Sequence, residues 1–140
     1  MENILIDTDV ILDFFFDRQP FVEFATEIFL LCENNQIKGY TTPVIISNVY
    51  YLLRKTANHE IIIEKLKQLL NIIDIVEMDK QVVIDALNSK FKDFEDALQN
   101  FSASNNGIIT IILTRNIKDF QSSKLAIISP EIYLKSRASH

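Results

Sequence analysis

The chain has 140 residues, a net charge of -5, 48% hydrophobic and 24% charged residues, a composition that can build a core without staples and is too apolar for disorder. Two glycines far apart, Gly39 and Gly107, exclude glycine-rich phosphate and dinucleotide loops; one cysteine, Cys32, excludes an intrachain disulfide and a thiolate zinc site; two histidines, His59 and His140, exclude a histidine-rich metal site. The acidic balance argues against a general nucleic-acid coat, which is usually basic.

In chain order, Asn3-Ile4-Leu5-Ile6 is an apolar run ending at Asp7 and reads as a buried parallel strand. Phe14-Phe15-Phe16 reads as core or an oligomer contact, and Asp17-Arg18-Gln19-Pro20 as a loop leading into a helix. Phe21, Phe24, Ala25, Ile28, Phe29 and Cys32 carry that helix to Asn34-Asn35. Lys38–Thr42 is the second strand. Thr42 then caps a helix whose first position is Pro43 and which runs to about Lys55. A helix from His59 to Leu70, a strand over Ile72–Val76 and a helix capped by Asp79 follow. Asp93 caps the next helix, which Gly107 ends; Ile108–Leu113 is the strongest strand and is expected near the centre. Leu125–Ile128 is the last strand, and Ser129-Pro130-Glu131 opens a closing helix.

Strands alternating with helices predict an α/β fold, with a mainly parallel sheet covered on both faces. No repeat or linker divides the chain, so one domain over 1–140 is expected. The start lacks a basic segment followed by an apolar one, and no run of about 18 apolar residues exists, so a cytoplasmic protein with no membrane contact is expected.

In such sheets the crevice beyond the strands' carboxyl ends is where ligands bind. Asp7 and Asp9 follow the first strand; Thr114-Arg115-Asn116 and Asp119 follow the strongest. Glu95 and Asp96 start the helix leading into that strand, and Asn48 lies on the helix after the second. If the first and strongest strands are neighbours, these groups meet as oxygen donors with no His or Cys. Such sites suit Mg2+ or Mn2+ and usually serve phosphoryl or phosphodiester hydrolysis. Asp93 reads first as a cap; Asp13, Asp17 and Asp74 read as solvated surface acids, Cys32 as a small buried apolar residue, and His59 as without a role.

The same residues carry a family resemblance. Leu5-Ile6-Asp7-Thr8-Asp9-Val10, Thr42-Pro43-Val44-Ile45-Ile46-Ser47-Asn48, Asp93-Phe94-Glu95-Asp96-Ala97-Leu98-Gln99 and Thr114-Arg115-Asn116-Ile117-Lys118-Asp119-Phe120 together resemble the motifs of the PIN domain, the fold of VapC-type toxin ribonucleases. The resemblance implies a three-layer α/β/α sandwich and a metal-dependent endoribonuclease using Mg2+ or Mn2+. It also implies RNA as substrate, an antitoxin partner and a homodimer. Carried over by motif, Asp7, Asp96, Asn116 and Asp119 are the catalytic set, with Asp7, Asp96 and Asp119 on the metal. Asn48 and Asn116 stand where the family usually has acids; Glu95, Thr114 and Asp9 support the site. Arg115, Lys118 and Arg54, with Lys55, are expected to hold RNA phosphates. A second reading is a PIN-like module that binds RNA or protein with little or no catalysis. Asp7-Thr8-Asp9-Val10 also resembles the haloacid dehalogenase nucleophile pair, but the lysine motif and late acidic pair of that fold are missing.

Overall fold

The computed structural model describes residues 1–138; His140 and the end of the expected domain lie outside the described residues. Five parallel strands form one sheet: β1 (Asn3–Ile6), β2 (Lys38–Thr41), β3 (Asp74–Ile75), β4 (Ile111–Leu113) and β5 (Ala126–Ile128). Their order is β3-β2-β1-β4-β5. Leu5 pairs with Tyr40 on one side and Ile112 on the other. The expected neighbours are therefore adjacent, with β1 at the centre and β4 next to it. The chain builds from β1 through β2 to β3, then resumes on the other side of β1 with β4 and β5. The order thus reverses between β1 and β4, and a crevice opens there beyond the strand ends.

Among the described residues seven α-helices flank the sheet: α1 (Thr8–Phe15), α2 (Val22–Glu33), α3 (Pro43–Leu53), α4 (His59–Leu70), α5 (Lys80–Leu87), α6 (Phe94–Asn106) and α7 (Pro130–Ala138). The fold is the expected α/β/α sandwich. Ile4, Leu5, Ile6, Ile112 and Leu113 are wholly buried, because helices cover both faces of the sheet. Each such side chain contributes about 1.5–3 kcal/mol of apolar burial. Gly39 is fixed by packing: a Cβ there would stand 2.8 Å from both Cys32 Sγ and Ile73 Cγ2. The Cys32 thiol is buried, which pushes its pKa up to about 12 and leaves it an inert packing group.

The caps behave as local chemistry predicts. The side chains of Thr42, Asp79 and Asp93 accept hydrogen bonds from the amides of Ile45, Val82 and Asp96, at 3.1, 3.0 and 3.0 Å. Gly107 ends α6 with a φ of 83°. β5 starts one residue later than its run, at Ala126, and two strands are three residues shorter than theirs. β4 starts at Ile111 and not Ile108, and β3 keeps only Asp74–Ile75 of the run from Ile72 to Val76. β3 is an edge strand, so few ladder bonds hold it; Ile73 is buried outside the strand, and Val76, just past its end, still donates its amide to the Thr41 carbonyl at 2.8 Å. A 3-10 helix over Ile117–Phe120 follows β4; Phe120 anchors it in the core and leaves Lys118 and Asp119 exposed. No helix of the described residues is long and apolar enough to cross a membrane.

Candidate active site

Asp7 is positioned by three elements at once. It ends β1, its amide donates to the Leu113 carbonyl of β4, and its carboxylate caps α1. Oδ1 accepts from the Thr8 amide at 2.7 Å, and Oδ2 from the Thr114 hydroxyl at 2.7 Å. Thr114 Oγ1 in turn accepts from the Asn116 amide at 3.0 Å, which fixes the loop after β4. Two residues on, in the first turn of α1, Asp9 Oδ2 accepts from the Arg115 amide at 2.8 Å and from Asn116 Nδ2 at 3.4 Å. The oxygens of Asp7 and Asp9 thus tie the ends of β1 and β4 together across the switch point.

These groups line a cleft of about 550 Å3 that also receives Asn48, Glu95, Asp96 and Asn116. Asn48 arrives on α3, one turn before Leu52 and Tyr51. Glu95 and Asp96 arrive on the first turn of α6, whose Ala97 and Leu98 are clamped by Val82 and Ala86 of α5. Asp119 does not line this cleft. It is exposed on the 3-10 helix, and shares a second, smaller cleft with Asp96. Its charge still reaches both Asp7 and Asp96.

The electrostatics are those of crowded, buried carboxylates whose repulsion and desolvation outweigh the nearby positive charge of Arg115. Burial raises the Asp7 pKa above the usual carboxylate value, against the opposing hydrogen bonds from Thr114, Thr8 and Gln99. Burial and then the neighbouring Asp7 push Asp9 up to about 6. Burial, then Asp7 and Asp93, push the half-buried Asp96 up to about 7. The folded protein therefore binds protons that the unfolded chain has already lost. That stabilisation is fully present below the ordinary value of 3.8 and is lost as pH climbs through about 6 to 7. In a chelator, the melting temperature is expected to fall over this window. Asp96→Asn, which cannot ionise, should flatten the fall; an identical slope for the variant would show that Asp96 does not share this environment.

Sequence reasoning and structure part at Asp13. It was expected among the solvated acids, but only 1% of it is exposed. Its two oxygens accept from Arg115 Nε at 2.7 Å and Nη2 at 2.9 Å, and Arg18 stands 3.7 Å away. The guanidinium of Arg115 also stacks on Phe21, with its carbon 3.9 Å from the ring centre. Arg115 therefore faces α1 and α2 and not the cleft expected to hold phosphate. Arg54 is exposed and donates to the Ala57 carbonyl at 3.1 Å. It does not line the cleft, whereas its neighbour Lys55 does. Lys118 lies on the smaller cleft with Asp96 and Asp119. Asp17 is exposed as expected, and exposed Asp74 pairs only loosely with Lys38, at 3.8 Å.

Three residues that the sequence reading missed also line the main cleft: Arg18, Tyr51 and Gln99. Two of them were within reach of helical periodicity. Tyr51 lies three residues after Asn48, and Gln99 three after Asp96, so each shares a face with a residue already singled out. Gln99 is 2% exposed, hydrogen-bonds Asp7, and has a buried Oε1 without a partner. Asp9 Oδ1 is buried and unpartnered as well.

The donor set can be judged against a divalent cation on these observations. Among the described residues, no three His, Cys, Asp or Glu side chains form a ready cage for one. Mg2+ does not require a cage: it is commonly held by one or two carboxylates, waters and substrate phosphate oxygens. Asp7 and Asp96, the amide oxygens available from Asn48 and Asn116, and the unsatisfied oxygens of Asp9 and Gln99 fit that pattern.

A family model described as PIN domain matches residues 3–118. Over 135 residues the chain is 27% identical to ribonuclease VapC1 of Aquifex aeolicus (strain VF5), covering 93% of this chain and 92% of that protein. In fold it is similar to the structure of VapBC-1 from nontypeable Haemophilus influenzae, with a TM-score of 0.68, 14% identity, and coverage of 92% of this chain and 98% of that one. It is likewise similar to a toxin-antitoxin complex from Klebsiella pneumoniae, with a TM-score of 0.67, 17% identity, and coverage of 91% and 97%.

Proposed function

The chain belongs to the PIN-domain family, and from that premise we propose that it is a divalent-metal-dependent endoribonuclease acting as the toxin half of a toxin–antitoxin pair. The observation that carries the reading is the convergence of Asp7, Asp96, Asn48 and Asn116 on one cleft at the switch between β1 and β4. The relatives named ribonuclease and toxin-antitoxin complex support it.

Asp7 and Asp96 would hold Mg2+ or Mn2+, with Asp119 as a nearby third charge and Asn48, Asn116 and Gln99 as neutral oxygen donors. When bound, the ion supplies Lewis acidity and offsets charge building on the phosphate. Thr114 and the Thr8 amide keep the Asp7 oxygens aimed from fixed positions. Asp9 and Glu95 add negative charge at the edge, and Asp9 pins the Asn116 loop. On the rim, Lys55 and Arg18 would take backbone phosphates, with Arg54 beside them and Lys118 on the far side of Asp96. The partner proteins in this reading are an antitoxin and a second copy of the chain. Exposed Phe14 and Leu30, on the first two helices, supply apolar surface for such contacts.

The test is cleavage of a pool of single-stranded and hairpin RNAs with Mn2+ or Mg2+ and with chelator. Metal-dependent cleavage is expected; no cleavage in either condition, with no calorimetric metal binding, would leave only a binding module. That second reading is favoured by Asn48 and Asn116, each of which keeps an oxygen but removes a charge.

Charge restoration separates the two. Asn48→Glu and Asn116→Asp are each expected to strengthen metal affinity about tenfold, because a unit charge a few ångströms from the ion is worth more than a kcal/mol even when screened. Each should also lower the metal-free melting temperature, since it adds a carboxylate to a cluster that is already repelling. Affinity unchanged in both variants would place neither side chain beside the ion.

A further inference from the structure

Asp96 is the wall shared by two clefts. One is the acidic cleft described above; the other, about 300 Å3, lies between the α5–α6 connection and the 3-10 helix. Lys90, Lys92 and Lys118 stand on its rim, with Gln121 and Ser122 between them. All three lysines are exposed, and none of their side chains makes an ion pair, hydrogen bond or ring contact among the described residues. They do not collapse onto Asp93, Asp96 or Asp119, although these acids line the same cleft. In a chain of net charge -5, these three cations are matched in number by Asp93, Asp96 and Asp119 on the same lining, so the cleft is formally neutral and offers an anion three unpaired ammonium groups, not a net positive field.

The lining selects the kind of anion. Apart from the half-buried Phe91 it is charged or polar, so it offers little to an apolar peptide. Flexible ammonium groups next to an amide and a hydroxyl match a chain of phosphodiesters, where charge repeats and sequence need not be read. Asp96 lines both clefts, so a strand that leaves the acids on the far side of Asp96 would meet the lysines next.

We propose that the Lys90–Lys92–Lys118 cleft is a second phosphate subsite for the substrate strand, holding phosphates further along the strand whose scissile phosphate lies at Asp7 and Asp96. This rests on the nuclease reading above. Lys90 and Lys92 enter it from the loop before the third motif, a segment to which nothing else in the site assigns a role. The subsite makes a dinucleotide too short to use it and an oligonucleotide of about a dozen residues long enough.

The experiment uses the full chain and a double variant, Lys90→Gln with Lys92→Gln. Fluorescence anisotropy in chelator gives the affinity for a labelled 12-nucleotide single-stranded RNA across a salt series, and cleavage in Mn2+ compares that RNA with a dinucleotide. The double variant is expected to bind the 12-mer about tenfold more weakly at low salt. Its log–log salt slope should be shallower by about 1.4, which is two lost contacts at roughly 0.7 each. Dinucleotide cleavage should be unchanged. A control with Lys67→Gln and Lys124→Gln, which removes the same charge elsewhere, should bind as the parent does. If the parent cleaves RNA but the lysine variant keeps the parent's affinity and slope, the subsite is overturned while the nuclease reading stands. Equal losses in variant and control would overturn it too, because net charge alone would then explain the effect. A parent chain that neither binds nor cleaves RNA brings down both readings.

Discussion

Asp7→Asn is expected to reduce RNA cleavage by on the order of 10³-fold at saturating Mn2+, about 4 kcal/mol of barrier, with RNA affinity in chelator kept within about twofold. Of the cleft's acids, Asp7 is the one fixed by both central strands: its own β1 and, through Thr114 and the Leu113 carbonyl, β4. In the proposed reading, Asn48 and Asn116 stand where the motif resemblance expects acids, so losing the Asp7 charge would remove much of what is left to hold a cation. The loss should not come from unfolding. An asparagine oxygen can still accept from the Thr8 amide and cap α1, and removing a carboxylate whose charge is disfavoured by burial relieves a desolvation cost. The melting temperature in chelator should therefore hold or rise, while the rise that Mn2+ gives the parent by mass action should largely vanish. Unchanged cleavage by this variant would place the activity elsewhere in the molecule or in a contaminant.

The largest expected stability loss lies outside the cleft. Asp13→Ala should cost about 3–5 kcal/mol, a large part of the roughly 5–15 kcal/mol that holds a domain folded. The carboxylate is buried and bidentate with Arg115, so its removal strands a partly buried guanidinium against Phe21. Arg115→Ala should be as damaging or slightly less so, because Arg18, 3.7 Å from Asp13, can move in as a substitute. Asp13→Leu combined with Arg115→Met should recover much of the loss, since a hydrophobic pair removes both desolvation costs. Urea unfolding is the measurement, with the midpoint falling at constant slope. A loss below about 1 kcal/mol would mean that the pair behaves like a surface salt bridge. The same pair bears on function. The Arg115 amide holds Asp9, so a variant that remains folded should show a loosened Asn116 loop and weaker metal binding.

Local chemistry was legible from the sequence wherever cause and effect lie within a few residues. Thr42, Asp79 and Asp93 cap helices because a side-chain oxygen meets an amide three residues on, and that needs no tertiary contact. The runs Asn3–Ile6 and Ile108–Leu113 read as buried strands, and strand ends in a parallel sheet locate the crevice. From this, together with the order of the motifs, came the sandwich and the convergence of Asp7, Asn48, Asp96 and Asn116. What only the tertiary structure decided were the partnerships across long separations. Asp13 and Arg115 are 102 residues apart, and neither carries a local sign that one buries the other; an aspartate in an aromatic stretch looks the same whether it faces water or a guanidinium. The pairing turned Arg115 away from the cleft, and left the rim to Lys55, Arg18 and the three lysines beyond Asp96. The shortening of β3 was decided in the same way: Ile72–Val76 has strand-forming side chains, but an edge position offers a ladder on one side alone. Sequence thus determined which groups carry charge and which segments prefer helix or strand, because those are properties of the residue and its near neighbours. The fold decided which charges are neutralised and which remain free for a ligand, because a charge's free energy depends on burial and on partners that only the packed chain supplies.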